Sequence, residues 1–140
     1  GRGIKKNDLI SYINLNNLKN NVQLVNFTKN PFNLIRSSDL FILTSLYEGL
    51  PNVLLEALTL KKFIISTDCP TGPKEILLNG KAGNLFKPGD YKQLSKLIIN
   101  YKNNKVKELT KAKFGYKNLD RFDFDKNLKK YFLLIDEFLY

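Results

Sequence analysis

DLFILTSLYEGLPNVLLEALTLKKFIIST, residues 39–67, holds two short apolar runs separated by a loop and a helix-forming stretch. The first run, Asp39-Leu40-Phe41-Ile42-Leu43-Thr44, is continuously apolar between its polar ends. The second, Phe63-Ile64-Ile65-Ser66-Thr67, is equally short. A strand with one wet face alternates apolar and polar residues, whereas a strand covered on both faces does not. Both runs therefore read as doubly buried strands of a parallel sheet. Between them, residues 52–60 carry Val53, Leu54, Leu55, Ala57, Leu58 and Leu60 and read as a helix. Strand, helix and strand joined by short connections form the repeating unit of a parallel α/β sheet.

The alternation continues outward. Residues 68–72 form a turn punctuated by Pro70 and Gly72, and residues 73–78 a turn or two of helix with Pro73 near its start. Residues 83–86 read as a brief strand, and Pro88-Gly89-Asp90 leads into a helix from Tyr91 to Asn100 or beyond. Upstream, the apolar spacing of residues 8–18 predicts a short helix broken by Asn20-Asn21. Residues 22–27 alternate loosely and predict a short strand. Pro31 suits the first turn of a helix running to about Arg36, where its missing N–H costs nothing. Downstream, residues 102–107 read as a solvated corner. The tail from Glu108 reads as mostly helical, with a break at Arg121-Phe122-Asp123-Phe124. The last helix, about residues 125–139, spaces Leu128, Phe132, Ile135 and Leu139 at steps of three and four. No repeat or low-complexity linker interrupts the chain. The expected fold is a Rossmann-like parallel sheet flanked by helices, with a core over residues 1–102. The helices of residues 103–140 pack on that core or on another domain.

The chain has 140 residues, 43% of them hydrophobic, enough for one globular core. No apolar run approaches the roughly 20 residues that span a bilayer. The single Cys69 excludes an internal disulfide and fits a reducing compartment. With no histidine and a single cysteine a classical zinc site is not expected, and the absence of histidine removes any Cys-His or Ser-His catalytic pair within the chain. The net charge of +10 suits an anionic partner, whether nucleic acid, lipid surface or phosphorylated substrate. It equally suits a Lys-, Asn- and Ile-rich chain from an AT-rich genome, and the lysines read as scattered. The chain contains no methionine and opens Gly1-Arg2-Gly3, as a trimmed protein would or as the interior of a longer one.

In open α/β sheets ligands bind beyond the carboxyl ends of the strands, where residues 45–52 fall. Glu48-Gly49-Leu50-Pro51 sets a carboxylate and a glycine directly before a helix start. Unpaired N–H groups and the helix dipole make such a start an anion site. Gly49 lets the backbone approach a ligand closely, and Pro51 fixes the entry angle. Glu56 follows Glu48 by eight positions and lies within the helix. A diphosphate at the helix start would have one carboxylate toward each end, and carboxylates accept well from vicinal hydroxyls. A nucleotide-sugar, with a hexose at one end and a ribose at the other, has that form. The plainer alternatives are that Glu48 is a helix N-terminal charge, stabilising by roughly 0.3–1 kcal/mol, and that Glu56 is a solvent-face residue.

The stretch from Ser45 through Glu48 and Glu56 to Ala57 closely resembles the E-x7-E signature of family-four retaining glycosyltransferases. The resemblance continues through Ser66-Thr67-Asp68-Cys69-Pro70-Thr71-Gly72-Pro73-Lys74-Glu75-Ile76-Leu77 and to Gly89-Asp90. Upstream it includes residues 22–27, Asn30-Pro31-Phe32 and Ser38-Asp39-Leu40, and it covers roughly residues 1–100. It implies the C-terminal, nucleotide-sugar-binding half of a GT-B fold, without its first strand. It implies that Glu48 contacts the donor sugar and positions the anomeric carbon as the catalytic residue. Gly49, Leu50 and Pro51 would present backbone to the sugar and distal phosphate, and Asn52, Val53 and Leu54 would line the phosphate site. Glu56 would bind the ribose hydroxyls. Phe27 and Thr28 would border the base, although family members often carry glycine where Thr28 stands.

The resemblance further implies no bound metal and no cofactor, because helix dipole and basic side chains neutralise the diphosphate. The partners it implies are a nucleotide-diphospho-sugar and a glycan or lipid-linked acceptor held by an N-terminal domain. Bacterial surface polysaccharide or lipopolysaccharide is the expected context. The expected location is cytoplasmic, with peripheral contact at the inner face of the membrane, and nucleic acid is not an expected partner. The residues before Gly1, including the basic diphosphate clamp, are missing from this reading, so the 140-residue chain alone is expected to transfer no sugar. The alternative function is a non-catalytic nucleotide-binding module, or a remnant of a split glycosyltransferase gene.

Overall fold

The two apolar runs and the brief strand of residues 83–86 become three short strands, β1 (Leu40–Leu43), β2 (Phe63–Thr67) and β3 (Asn84–Phe86), paired in parallel in sequence order. The helices are α1 (Lys6–Leu15), α2 (Phe32–Ser37), α3 (Asn52–Thr59), α4 (Pro73–Ile76), α5 (Tyr91–Asn103), α6 (Lys105–Lys117) and α7 (Phe124–Leu139), with a 3-10 turn at Leu119–Phe122. This is a computed structural model describing residues 3–139. Gly1 and Arg2 of the opening Gly1-Arg2-Gly3 turn, and Tyr140, lie outside the described residues. The chain divides into two compact units, Gly1–Pro31 and Phe32–Tyr140.

In the second unit β2 is central, and all five of its residues are buried. Successive side chains of a strand point to opposite faces, so one strand feeds two cores. Ile64 joins Leu54, Ala57, Leu58, Ile76, Leu77 and Ala82 beneath α3 and α4. Phe63 and Ile65 join Phe86, Tyr101 and Ala112 beneath α5 and α6. Both faces of the sheet are thus covered, as the lack of alternation requires. The result is the expected α/β, Rossmann-like arrangement of parallel strands flanked by helices. A Cβ at Gly115 would lie 2.7 Å from Leu58 Cδ2 and 2.9 Å from Ala82 Cβ, so α6 approaches the first core closely through a residue without a side chain. By contrast, α7 has no buried residue.

Helix ends follow local hydrogen bonding more than apolar spacing. α1, α3 and α4 each close with a Schellman motif, in which two N–H groups beyond the helix return to its last carbonyls. In α3, Lys61 N–H donates to Leu58 O at 2.8 Å and Lys62 N–H to Ala57 O at 2.9 Å. In α4 the same pattern runs from Leu78 to Glu75 and from Asn79 to Lys74, and in α1 from Asn17 to Asn14 and from Leu18 to Ile13. The residues taking positive φ are Asn17, Lys61 and Leu78, none of them glycine. α1 therefore ends at Leu15 and not at Leu18, because Leu18 serves the cap. α5 opens with Asp90 accepting from Gln93 N–H at 2.8 Å. The corner expected over residues 102–107 narrows to Asn104 between α5 and α6, because lysine is a good helix former and polarity alone ends no helix.

The strand expected over residues 22–27 is a correction. That stretch belongs to none of the three described strands. Alternation assigns side chains to faces but names no ladder partner, and a strand exists only with one.

Candidate functional site

The parallel strands carry their carboxyl ends to one side, and the loops of residues 45–51 and 68–72 emerge there. Their paths are fixed by side-chain and backbone bonds from distant residues. The buried Thr67 hydroxyl donates to Ser45 O at 2.7 Å, which pins the first loop to the end of β2. Asp68 N–H donates to Phe86 O at 2.7 Å, tying the second loop to β3. The two loops are then joined to each other. Glu48 N–H donates to Pro70 O at 3.0 Å, and Thr71 N–H donates to Glu48 O at 2.7 Å. Both backbone groups of Glu48 are thereby engaged, which fixes where its side chain leaves the loop. A Cβ at Gly72 would stand 2.1 Å from Gly49 O and 2.7 Å from Pro51 Cδ, so no side chain fits between the loops there.

The helix start has the expected open character. Pro51 precedes α3 without a side-chain cap, and Leu54 N–H donates to Pro51 O at 2.9 Å. The N–H groups of Asn52 and Val53 have no intrahelical acceptor. Leu54 does not fit the expected phosphate-lining role, because its side chain is fully buried in the core and its N–H is engaged by Pro51. Gly49, Leu50 and Asn52 are exposed, Pro51 is buried, and Val53 is half-buried. Glu48 and Glu56 are half-buried, and neither carboxylate takes a hydrogen bond or ion pair from the described residues. Two half-buried carboxylates without partners among the described residues thus stand in the chain on either side of the open helix start, one in the loop before α3 and one about a turn inside it.

The loop of residues 45–51 and α3 bring Glu48 through Glu56 together. Phe27 and Thr28 lie in the other unit, Gly1–Pro31. There the Thr28 hydroxyl bonds the backbone of Asn30 at 3.3 Å, and Phe27 is 67% exposed. The sequence reading assigned no individual roles to the second loop. Its residues, with Lys74, Glu75 and Asn79, line an open hollow of about 580 Å³, and Lys74 Nζ stands 3.5 Å from Asp68 Oδ2. A Gly-Pro pair at a helix start was the available signal, since it marks a turn that admits no side chain. Among the described residues no group of three or more Asp, Glu, Cys or His is placed to hold a metal ion. No described helix is long and apolar enough to cross a membrane.

Residues 1–119 match the glycosyl transferases group 1 family. The chain is 39% identical to an uncharacterized glycosyltransferase of Methanocaldococcus jannaschii, over 97% of its own length and 40% of that protein. It is 28% identical to the N-acetylgalactosamine-N,N'-diacetylbacillosaminyl-diphospho-undecaprenol 4-alpha-N-acetylgalactosaminyltransferase of Campylobacter jejuni, over 95% of its own length and 37% of that protein. Among solved structures it resembles a TarM variant of S. aureus in complex with Fondaparinux, alpha-GlcNAc-glycerol and UDP. That likeness has a TM-score of 0.84 at 25% identity, over 94% of this chain and 27% of that one. The chain thus spans about two fifths or less of the length of each of these three proteins.

Proposed function

The chain belongs to the glycosyl transferases group 1 family, and we propose that it forms the nucleotide-sugar-binding half of a retaining, GT-B hexosyltransferase. The observation that carries this reading is the placement of two unpartnered carboxylates around an uncapped helix start, with Glu48 fixed through its backbone. The diphosphate would accept from the N–H groups of Asn52 and Val53, with the α3 dipole supporting its charge. Glu48 would accept from the donor-sugar hydroxyls and set the anomeric carbon, with Gly49, Leu50 and Pro51 offering backbone close to the ring. Glu56 lies four residues into the helix, about 6 Å along its axis, and would take the ribose hydroxyls. In the transfer, the bond from anomeric carbon to diphosphate oxygen breaks and a bond to the acceptor oxygen forms on the same face of the sugar. The acceptor's proton leaves with the diphosphate. Helix start and basic groups supply the neutralisation that a metal would otherwise provide.

The acceptor we propose is a glycan or a lipid-linked glycan of a surface polysaccharide, handled by sequence outside these 140 residues at the cytoplasmic face of a membrane. The Campylobacter relative, whose name specifies a diphospho-undecaprenol acceptor, favours the lipid-linked form. UDP is the first nucleotide to test, because the similar TarM structure contains it. Ligand-detected NMR with UDP, GDP and ADP should show binding of one nucleotide. Glu56→Ala should weaken it by about tenfold, the loss of one charge-assisted hydrogen-bond pair, without changing the thermal midpoint. Absence of binding by all three nucleotides would remove the donor-site reading and favour the remnant of a split glycosyltransferase gene.

A further inference from the structure

The positive charge is not evenly spread, contrary to the sequence reading. Residues 91–117, which are α5, α6 and the single residue between them, contain eight lysines, no arginine and one acidic residue, Glu108. Over the whole chain 23 basic residues stand against 13 acidic ones, so the remainder is close to balanced. Glu108 does not offset its neighbours at the surface. It is buried, pairs with Lys111 Nζ at 3.2 Å and accepts from Asn100 at 3.0 Å. Lys105 is paired with Asp39 at 2.6 Å. The other six, Lys92, Lys96, Lys102, Lys107, Lys113 and Lys117, are exposed and carry no ion pair among the described residues.

These charges share a direction. α5 and α6 pack on the same core, through Leu94, Leu97 and Tyr101 from one and Leu109 and Ala112 from the other. Their outer faces therefore look away from the same side of the sheet. At 100° per residue, Lys92, Lys96 and Ile99 fall opposite Tyr101. Val106, Lys107, Phe114 and Lys117 fall opposite the buried face of α6 in the same way. Ile99 is 56% exposed and Val106 84%. A hollow of about 460 Å³ beside α6 is lined by Lys81, Thr110, Lys111 and Phe114.

We propose that the outer face of α5 and α6 is a docking surface for anionic lipid headgroups. Unpaired lysines supply attraction without geometry, as a fluid layer of phosphates requires. Protruding aliphatic side chains between them suit the boundary below the headgroups. The absence of arginine argues against nucleic acid, where the planar guanidinium fork reads phosphates and bases. The proposal stands on charge and packing and does not depend on the sugar-donor reading.

Co-sedimentation of the chain with phosphatidylglycerol–phosphatidylcholine vesicles, with pure phosphatidylcholine as comparison and no nucleotide present, tests it. Binding should require the anionic lipid and fall at high salt. Each lysine near the surface contributes about fivefold in partitioning. The combined Lys96→Gln, Lys107→Gln and Lys113→Gln variant should therefore bind about 100-fold more weakly. A control of equal charge, Lys19→Gln with Lys129→Gln and Lys130→Gln, should stay within about threefold. Circular dichroism melting of both variants checks that they fold. No binding to anionic vesicles overturns the proposal. An equal loss in the control shows diffuse net charge and overturns it too. Tighter binding to duplex RNA than to vesicles at the same salt replaces the lipid with nucleic acid.

Discussion

Gly72→Ala should damage the site through sterics alone. The added Cβ would stand 2.1 Å from Gly49 O, where ordinary contact begins near 3.4 Å, so one loop must move by more than 1 Å. The backbone adds to this, because φ +85° and ψ −56° are unfavourable for any residue with a Cβ. Such strain costs about 1–3 kcal/mol, and forcing atoms into a packed contact costs about 1–3 kcal/mol more. If the loops hold, stability falls by about 2–6 kcal/mol, which lowers the midpoint by roughly 5–20 °C for a chain of this size. If they part, the bonds between Glu48, Pro70 and Thr71 break, each worth about 1 kcal/mol. The strain is then relieved at the expense of Glu48 placement, and UDP affinity falls. Thermal unfolding and UDP titration on the same sample separate the two routes. Gly49→Ala is the internal comparison, since its Cβ would meet nothing within 4 Å. It should melt like the parent while hindering a ligand against the loop. A Gly72→Ala protein that melts within about 1 °C of the parent and binds UDP equally would refute the steric argument.

Tyr101 couples stability to alkaline pH. Burial pushes its phenol above the ordinary value, because the folded chain does not readily solvate a phenolate. The folded state holds this proton more tightly than the unfolded one, so the contribution is complete below about pH 10 and lost as pH rises beyond it. Tyr101→Phe keeps the ring stacked on Phe63 at 5.1 Å but loses the hydrogen bond to Asp39 O at 2.7 Å. It should cost about 1 kcal/mol at neutral pH and flatten the alkaline decline of the denaturation midpoint. Parallel declines in both proteins would dismiss the assignment. Lys61→Gly should stabilise slightly. Relief of a left-handed residue at φ 55° gains about 1 kcal/mol, and loss of the cation–π contact with Tyr116 at 4.5 Å returns about 0.5 kcal/mol. A chemical denaturation midpoint below the parent's would contradict it.

The central strand β2 was readable because burial on both faces leaves a continuous apolar run, and Phe63-Ile64-Ile65 shows this directly, whereas β1 keeps such a run although its residues are only half-buried. Helix ends were less readable. Glycine at the position beyond a helix advertises a stop, but Asn17, Lys61 and Leu78 take that conformation without advertising it. Leu18 then extends the apparent apolar face of α1 although it belongs to the cap. Residues 22–27 failed for another reason, since their pattern is a property of one segment and a strand is a property of two.

The site divides along the same line. Glu48, Gly49 and Glu56 could be singled out as candidates because the pattern that marks them runs along one loop and one helix, a spacing that sequence states outright. The structure adds what holds Glu48 still, and that is backbone. The groups that clamp it are the carbonyl of Pro70 and the N–H of Thr71, more than twenty residues away. Every residue but proline has that N–H and every residue has that carbonyl, so no side-chain chemistry at positions 70 and 71 announces the clamp. Only Gly72 leaves a trace, because close approach of two loops excludes a Cβ. Candidate carboxylates can therefore be singled out from sequence, while the backbone clamp that positions one of them cannot. A substitution at Gly72, which bears no chemistry, should disturb the placement of Glu48 more than many substitutions that touch the ligand directly.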